Sequence, residues 1–102
     1  MKSWLIDPYD RVIKPVDYDG NWQKIAIIIK AKYFEMHEIS KGEDLYVDEE
    51  AMLFKQTDPA FYIVLPKLRK TRFIGYGLVV NNRITNRFGI SPITSILSFD
   101  HG

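Results

Sequence analysis

The stretch from Asn21 to Ala31 decides the predicted fold, and its sequence is NWQKIAIIIKA. Its large apolar residues recur at three- and four-residue spacing, which places them on one face of an α-helix. They are Trp22, Ile25, Ile28 and Ile29. Asp19 or Asn21 can accept hydrogen bonds from the first free amides and cap this helix. Because isoleucine is a mediocre helix former, we expect the helix to depend on packing of its apolar face against a sheet.

Two short strands are predicted before this helix. Ser3–Ile6 ends at Asp7-Pro8, and Arg11–Val16 follows after a turn. Together they form a hairpin. Proline lacks the amide donor that a central strand needs, so Pro15 indicates an edge position for the second strand.

Four further strand candidates follow the helix. They are Tyr33–Ile39, Leu45–Val47, Phe61–Leu65 and Phe73–Val80. The tail Ser91–Leu97 predicts one helical turn, since Ser-Pro suits a cap and first helical position, and its Ser and Thr content fits a strand as the alternative. The sequence therefore predicts one α+β domain over residues 1–102, a mainly antiparallel sheet with one main helix packed on one face.

Composition limits the class of protein. A chain of 102 residues has room for one hydrophobic core, and 46% apolar with 26% charged residues is typical of a globular domain. The absence of cysteine excludes disulfides, zinc–thiolate sites and cysteine nucleophiles. The longest apolar run, Ile25 to Ile29, has five residues, whereas a membrane span needs ~20. Asp7 and Pro8 interrupt any signal-peptide core. We therefore expect a cytoplasmic protein without membrane contact.

Residues that carry metal or catalytic chemistry do not occur in a recognisable pattern. Asp17-x-Asp19-Gly20 is similar to the start of a calcium loop, but Ile28 stands at the twelfth position, where a bidentate glutamate is required. His37 and His101 are the only histidines, and a histidine needs partners at defined geometry to act. We predict no metal, no cofactor and no catalytic residue, and hence a protein that is not an enzyme.

Charge is divided unevenly along the chain. Residues 1–58 carry eight Lys/Arg and twelve Asp/Glu, whereas residues 59–99 carry six Lys/Arg and no acid. Cations interleaved with aromatic rings can hold phosphates while stacking bases. The alternative is a solvated loop whose cations balance the acidic hairpin. The predicted anion- or partner-binding residues are Lys67, Arg69, Lys70, Arg72, Phe73, Tyr76, Arg83 and Arg87.

Four stretches resemble a known family: Leu5–Pro8, Val16–Gly20, Glu43–Glu50 and Gly75–Val80. The chain is similar to the small domain of tailed phages and mobile elements catalogued as domain of unknown function 3846. The resemblance covers nearly the whole chain, although the segment from Phe61 to Arg72 has no counterpart in the pattern. It implies a phage or mobile-element product that acts in the cytoplasm of a bacterial host, and it supplies no catalytic residue.

Three functions are compatible with these features. Small size and segregated charge favour a non-enzymatic accessory protein that binds a host or phage protein. The alternative is a binder of nucleic acid or a nucleotide through the basic segment 67–87. A small enzyme has the least support. The sequence leaves a homo-oligomer open.

Overall fold

The computed structural model describes residues 2–40, 42–64, 70–81 and 97–99. These residues form eight strands and three short helical segments. The strands are β1 (Lys2–Asp7), β2 (Val12–Pro15), β3 (Phe34–Ser40), β4 (Glu43–Asp48), β5 (Ala60–Val64), β6 (Lys70–Ile74), β7 (Gly77–Asn81) and β8 (Leu97–Phe99). The helical segments are a 3-10 turn at Trp22–Lys24, α1 (Ile25–Ile28) and α2 (Ala51–Phe54).

The strands form two antiparallel sheets. The larger has the order β2-β1-β7-β4-β3 and the smaller has the order β6-β5-β8. At the centre of the larger sheet, β7 is buried at every residue. Its run Leu78-Val79-Val80 lacks polar alternation, as is typical of a strand that is covered on both faces.

Both faces of the larger sheet are covered. On one face, Trp4, Ile6 and Val79 pack with Phe61 and other residues of the smaller sheet. On the opposite face, Leu78 and Val80 pack with Tyr18, Ile25 and Ile29. Because successive residues of a strand point to opposite faces, β7 contributes to both clusters. The larger sheet is thus the middle layer between the smaller sheet and the helical segment.

The predicted α+β class with one main helix is wrong. Most of the described residues lie in strands. The helix that was predicted over Asn21–Ala31 occupies only residues 22–28. Its start is as expected, because the Asn21 side chain accepts a hydrogen bond from the amide of Gln23 at 3.0 Å. It ends early because Lys30 has a left-handed φ of 56°. The amides of Lys30 and Ala31 then bond back to Ile27 and Ala26, which is the Schellman pattern that terminates a helix.

The predicted apolar face is confirmed only in part. Ile25 and Ile29 are buried against the sheet, and Ile28 is half-buried. Trp22 is 65% exposed and lies in the 3-10 turn that precedes α1, a turn that contains no buried residue.

Among the strands, the first hairpin and the edge position of β2 are confirmed. The single strand predicted over Phe73–Val80 is wrong, since β6 and β7 lie in different sheets. Gly75 has a φ of 83° and turns the chain between them, and its amide donates to the Pro59 carbonyl at 2.9 Å. Of the tail, Leu97–Phe99 is a strand that pairs with β5. The helical turn predicted there falls mostly on residues 91–96, outside the described residues.

Candidate functional site

Of the eight predicted binding residues, the structure describes four, which are Lys70, Arg72, Phe73 and Tyr76. Lys67, Arg69, Arg83 and Arg87 lie outside the described residues. Phe73 is buried between the sheets, with its ring centroid 5.5 Å from that of Phe61. Its ring is therefore core and is not available to stack on a ligand.

Lys70 and Arg72 lie on the outer face of the smaller sheet, opposite the face that carries Phe73. The Lys70 Nζ is 5.0 Å from the centroid of the Tyr62 ring, and Arg72 lies directly across from Tyr62 in the β5–β6 register. Of the predicted residues that the structure describes, these two and Tyr76 reach positions where they can meet a ligand.

Tyr76 stacks on Tyr9, a residue that the sequence did not single out. The two ring centroids are 4.9 Å apart with planes inclined by 33°, and we call these residues the tyrosine pair. Asp7 stabilises the turn that carries Tyr9. Its Oδ1 accepts hydrogen bonds from the backbone amides of Tyr9 at 2.9 Å and of Asp10 at 3.1 Å. The Lys30 Nζ lies 5.2 Å from the centroid of the Tyr76 ring.

Two recesses of about 230 Å³ each adjoin the tyrosine pair. Arg11, Arg72, Thr57 and Asp58 line the first, together with Pro8, Tyr9 and Pro59. Lys30, Lys55 and Asp48 line the second, together with Tyr9, Ile29, Gly75 and Tyr76. Each recess therefore contains two cationic side chains and one acidic side chain, a formal charge of +1.

The Tyr9 hydroxyl is a neutral hydrogen-bond donor at this site. It donates to Asp58 Oδ2 at 3.0 Å. Burial, reinforced by this hydrogen bond to a carboxylate, raises the pKa of Tyr9 to about 12. The phenol stays protonated at physiological pH and adds no negative charge to the recess.

A second candidate surface is apolar and is centred on α2. Ala51 is buried against Ala60 and Ile74, and it is the part of α2 that anchors the helix to the smaller sheet. The next three residues point away from the core. Their exposed fractions are 58% for Met52, 74% for Leu53 and 73% for Phe54.

Three more exposed apolar side chains belong to residues 22–33, the segment that precedes β3; they are Trp22, Ile27 and Tyr33. The Glu49 amide, just before α2, donates to the Tyr33 carbonyl at 3.2 Å. The Lys55 Nζ, just after α2, lies 3.5 Å from the Lys30 carbonyl. Because these two contacts hold the ends of α2 next to residues 30–33, we treat Met52, Leu53, Phe54, Trp22, Ile27 and Tyr33 as one surface, the apolar surface.

The sequence did not predict the apolar surface or the recesses beside the tyrosine pair, although it contains a pattern that indicates each of them. Ala51-Met52-Leu53-Phe54 is an apolar run between charged residues that was assigned to no element. Tyr9 and Arg11 flank Asp10 in a turn, where loop residues often carry function. Their partners Tyr76 and Arg72 are more than sixty positions away, so only the tertiary structure could join them.

Within the described part of the chain, no three His, Asp or Glu side chains are grouped as a metal ion would require. Over the same residues, every helix is too short or too polar to cross a membrane. Comparison of the chain with protein-family models, with curated proteins and with solved structures gives no match.

Proposed function

We propose that this chain is a non-enzymatic interaction protein that binds another protein through the apolar surface. The observation that carries this proposal is the exposure of Met52, Leu53 and Phe54, three consecutive large apolar side chains on one short helix. Soluble proteins rarely leave a contiguous apolar patch in water unless it binds something. A helix kept only to fill the core would direct such side chains inward.

The size of the surface fits a folded partner better than a short peptide. Aromatic side chains bury ~150–250 Å² each when fully covered, and we apply the lower end of this range to Met52, Leu53 and Ile27. At half to three-quarters exposure, the six residues leave roughly 700 Å² in water, close to the ~800 Å² that each partner contributes to an interface of standard size.

Residues 30–33, next to α2, indicate the charge that a partner should carry. They include Lys30 and Lys32, both exposed. A complementary face is apolar with acidic side chains opposite these two lysines, since matched potentials speed association and suppress wrong partners. The resemblance to the phage family adds a setting, in which the partner is a host or phage protein in the bacterial cytoplasm.

The test uses the double variant Leu53→Ala/Phe54→Ala. Alanine preserves helix propensity and removes most of the exposed area of α2. The matched control is Val12→Ala, which removes an exposed apolar side chain from the opposite edge of the larger sheet. A partner is first captured with the wild-type chain and then purified, and its binding to the three forms is measured by calorimetry.

We expect the double variant to weaken binding at least 100-fold, and the control to bind like the wild type. The heat-capacity change on binding should be negative, as burial of apolar area requires. Equal affinity of the double variant and the wild type would overturn the proposal. Sedimentation of the chain alone shows whether the partner is a second copy, because self-association through this surface is lost in the double variant.

Binding of nucleic acid through the basic segment stays a prediction. What supports it is the placement of Lys70 and Arg72 beside Tyr62 on the outer face of the smaller sheet. Retention on heparin that is lost at moderate salt would support this function, because phosphate contacts weaken steeply with ionic strength.

A further inference from the structure

We propose that the first recess beside the tyrosine pair binds a small ligand in which a planar ring is joined to a phosphate, of the nucleoside monophosphate class. This site is separate from the apolar surface and does not depend on the function proposed for it. The two halves of the ligand correspond to two groups of side chains that line the same recess.

The ring half has an aromatic platform. Tyr9 is 45% exposed, and its ring is supported from one side by Tyr76 at 4.9 Å. Pro8 and Pro59 line the recess next to it and provide rigid apolar walls. A supported, partly exposed ring can stack a base, and such stacking is sequence-tolerant because every base has a π-face.

The phosphate half has cations and a hydroxyl. Arg11, Arg72 and Thr57 line the recess that Tyr9 borders. The guanidinium fork matches phosphate oxygens in a bidentate manner. Asp58, which accepts a hydrogen bond from the Tyr9 hydroxyl at 3.0 Å, keeps its negative charge, so the recess has a formal charge of +1.

Backbone strain occurs at one residue of each recess. Arg11 and Lys30, with φ values of 55° and 56°, are the non-glycine residues with positive φ in the described chain. Both are basic and both line recesses beside the tyrosine pair. Glycine is the usual residue at a helix end of the kind formed by Lys30. Strained residues of this type cluster at functional sites, and here the strain places a cation beside an aromatic ring.

The available space suits a ligand larger than phosphate. Each recess has a volume of about 230 Å³, and both border on Tyr9. A phosphate ion alone would leave the Tyr9 platform uncovered.

The experiment titrates the full chain with adenosine monophosphate, adenosine and inorganic phosphate, and follows amide chemical shifts by NMR. The informative variant is Arg11→Gly, because glycine adopts positive φ without strain and the fold should not be weakened. Lys32→Gln is the matched control, since it removes one exposed cation away from the recess. A second variant, Tyr9→Leu, removes the aromatic platform.

We expect adenosine monophosphate to shift the amides of residues 9–11 and 57–59 and to bind more tightly than either fragment. Arg11→Gly should weaken it about 10- to 100-fold, as loss of a charge-assisted hydrogen bond does, while Lys32→Gln leaves it unchanged. Tyr9→Leu should weaken the nucleotide and adenosine but not phosphate. The Leu53→Ala/Phe54→Ala variant should bind the nucleotide normally, which separates this site from the apolar surface.

Three results would overturn the proposal: no shifts around Tyr9 at millimolar nucleotide, equal affinity of Arg11→Gly and wild type, or phosphate binding as tightly as adenosine monophosphate. The last result would leave an anion site without a ring-binding half.

Discussion

Replacement of Gly77 by alanine should destabilise the fold because its added methyl group meets the core between the two sheets. A Cβ at Gly77 would lie 2.8 Å from Phe61 Cζ and 3.0 Å from Leu45 Cδ1, whereas ordinary van der Waals contacts are 3.4–4 Å. Phe61 and Leu45 are both fully buried. One of them must move by about half an ångström inside a close-packed interior. Overpacking of this kind costs about 1–3 kcal/mol.

Urea unfolding followed by fluorescence measures this cost as a lower midpoint at unchanged slope. The control is Gly75→Ala, at a position where a Cβ would have nothing within 4 Å but φ is +83°. That variant should cost about 1–2 kcal/mol through the backbone alone. The two alanine substitutions therefore destabilise the fold for different reasons, a steric contact at position 77 and a positive φ at position 75. A second substitution can separate these two causes.

That second substitution is Phe61→Leu, which removes the ring that Gly77 faces. In this background the cost of Gly77→Ala should fall by about 0.5–3 kcal/mol, the usual size of coupling between residues in contact. The cost of Gly75→Ala should stay the same. If Gly77→Ala changes the free energy of unfolding by less than about 0.5 kcal/mol, or if its cost is equal in both backgrounds, the close contact with Phe61 is not what requires glycine.

Three further predictions concern the helix, the tyrosine pair and the ion pair between half-exposed Lys55 and buried Asp48. Ile25→Ala should lower the free energy of unfolding by about 2–5 kcal/mol because the side chain is buried, while Ile27→Ala, at 75% exposure, should change it by less than about 0.5 kcal/mol; similar values in urea unfolding would contradict the helix orientation. Because the pKa of Tyr9 is raised from 10.0 to about 12 in the folded state, its contribution to stability is complete below pH 10 and is lost as the pH rises towards 12; melting temperatures across this range should fall less steeply in Tyr9→Phe, and an unchanged slope would refute the assignment. Lys55→Met should destabilise by about 1–3 kcal/mol in thermal or urea unfolding, since it removes the cation 2.9 Å from the buried carboxylate of Asp48; an unaffected midpoint would show that this pair contributes nothing.

The proposed sites show which groupings of residues a local sequence pattern can predict. The basic segment 67–87 is evident in the sequence as a run of cations interleaved with aromatic residues, but its described cations and Phe73 lie on opposite faces of β6. Lys70 and Arg72 point outward from β6, whereas Phe73 points into the core, because adjacent strand residues face opposite ways. A cluster in sequence was therefore divided between two environments. The first recess shows the converse case. Arg11 and Arg72 are distant in sequence, and the tertiary structure places both in the lining of this recess.

The sequence by itself determined the strands of the first hairpin, the edge position that Pro15 requires, a helix cap at Asp19 or Asn21, and the burial of Ile25 and Ile29. Each of these depends on interactions within a few residues, such as a missing amide donor, a capping side chain or an apolar period. Only the tertiary structure decided that the chain is mostly β with two sheets, that Gly75 divides one apolar run between them, and that α2 leaves Met52, Leu53 and Phe54 in water. These outcomes depend on contacts between distant segments. The sheet that covers one face of β7 comes from residues before and after it in the chain, and no local pattern states which face a partner will cover.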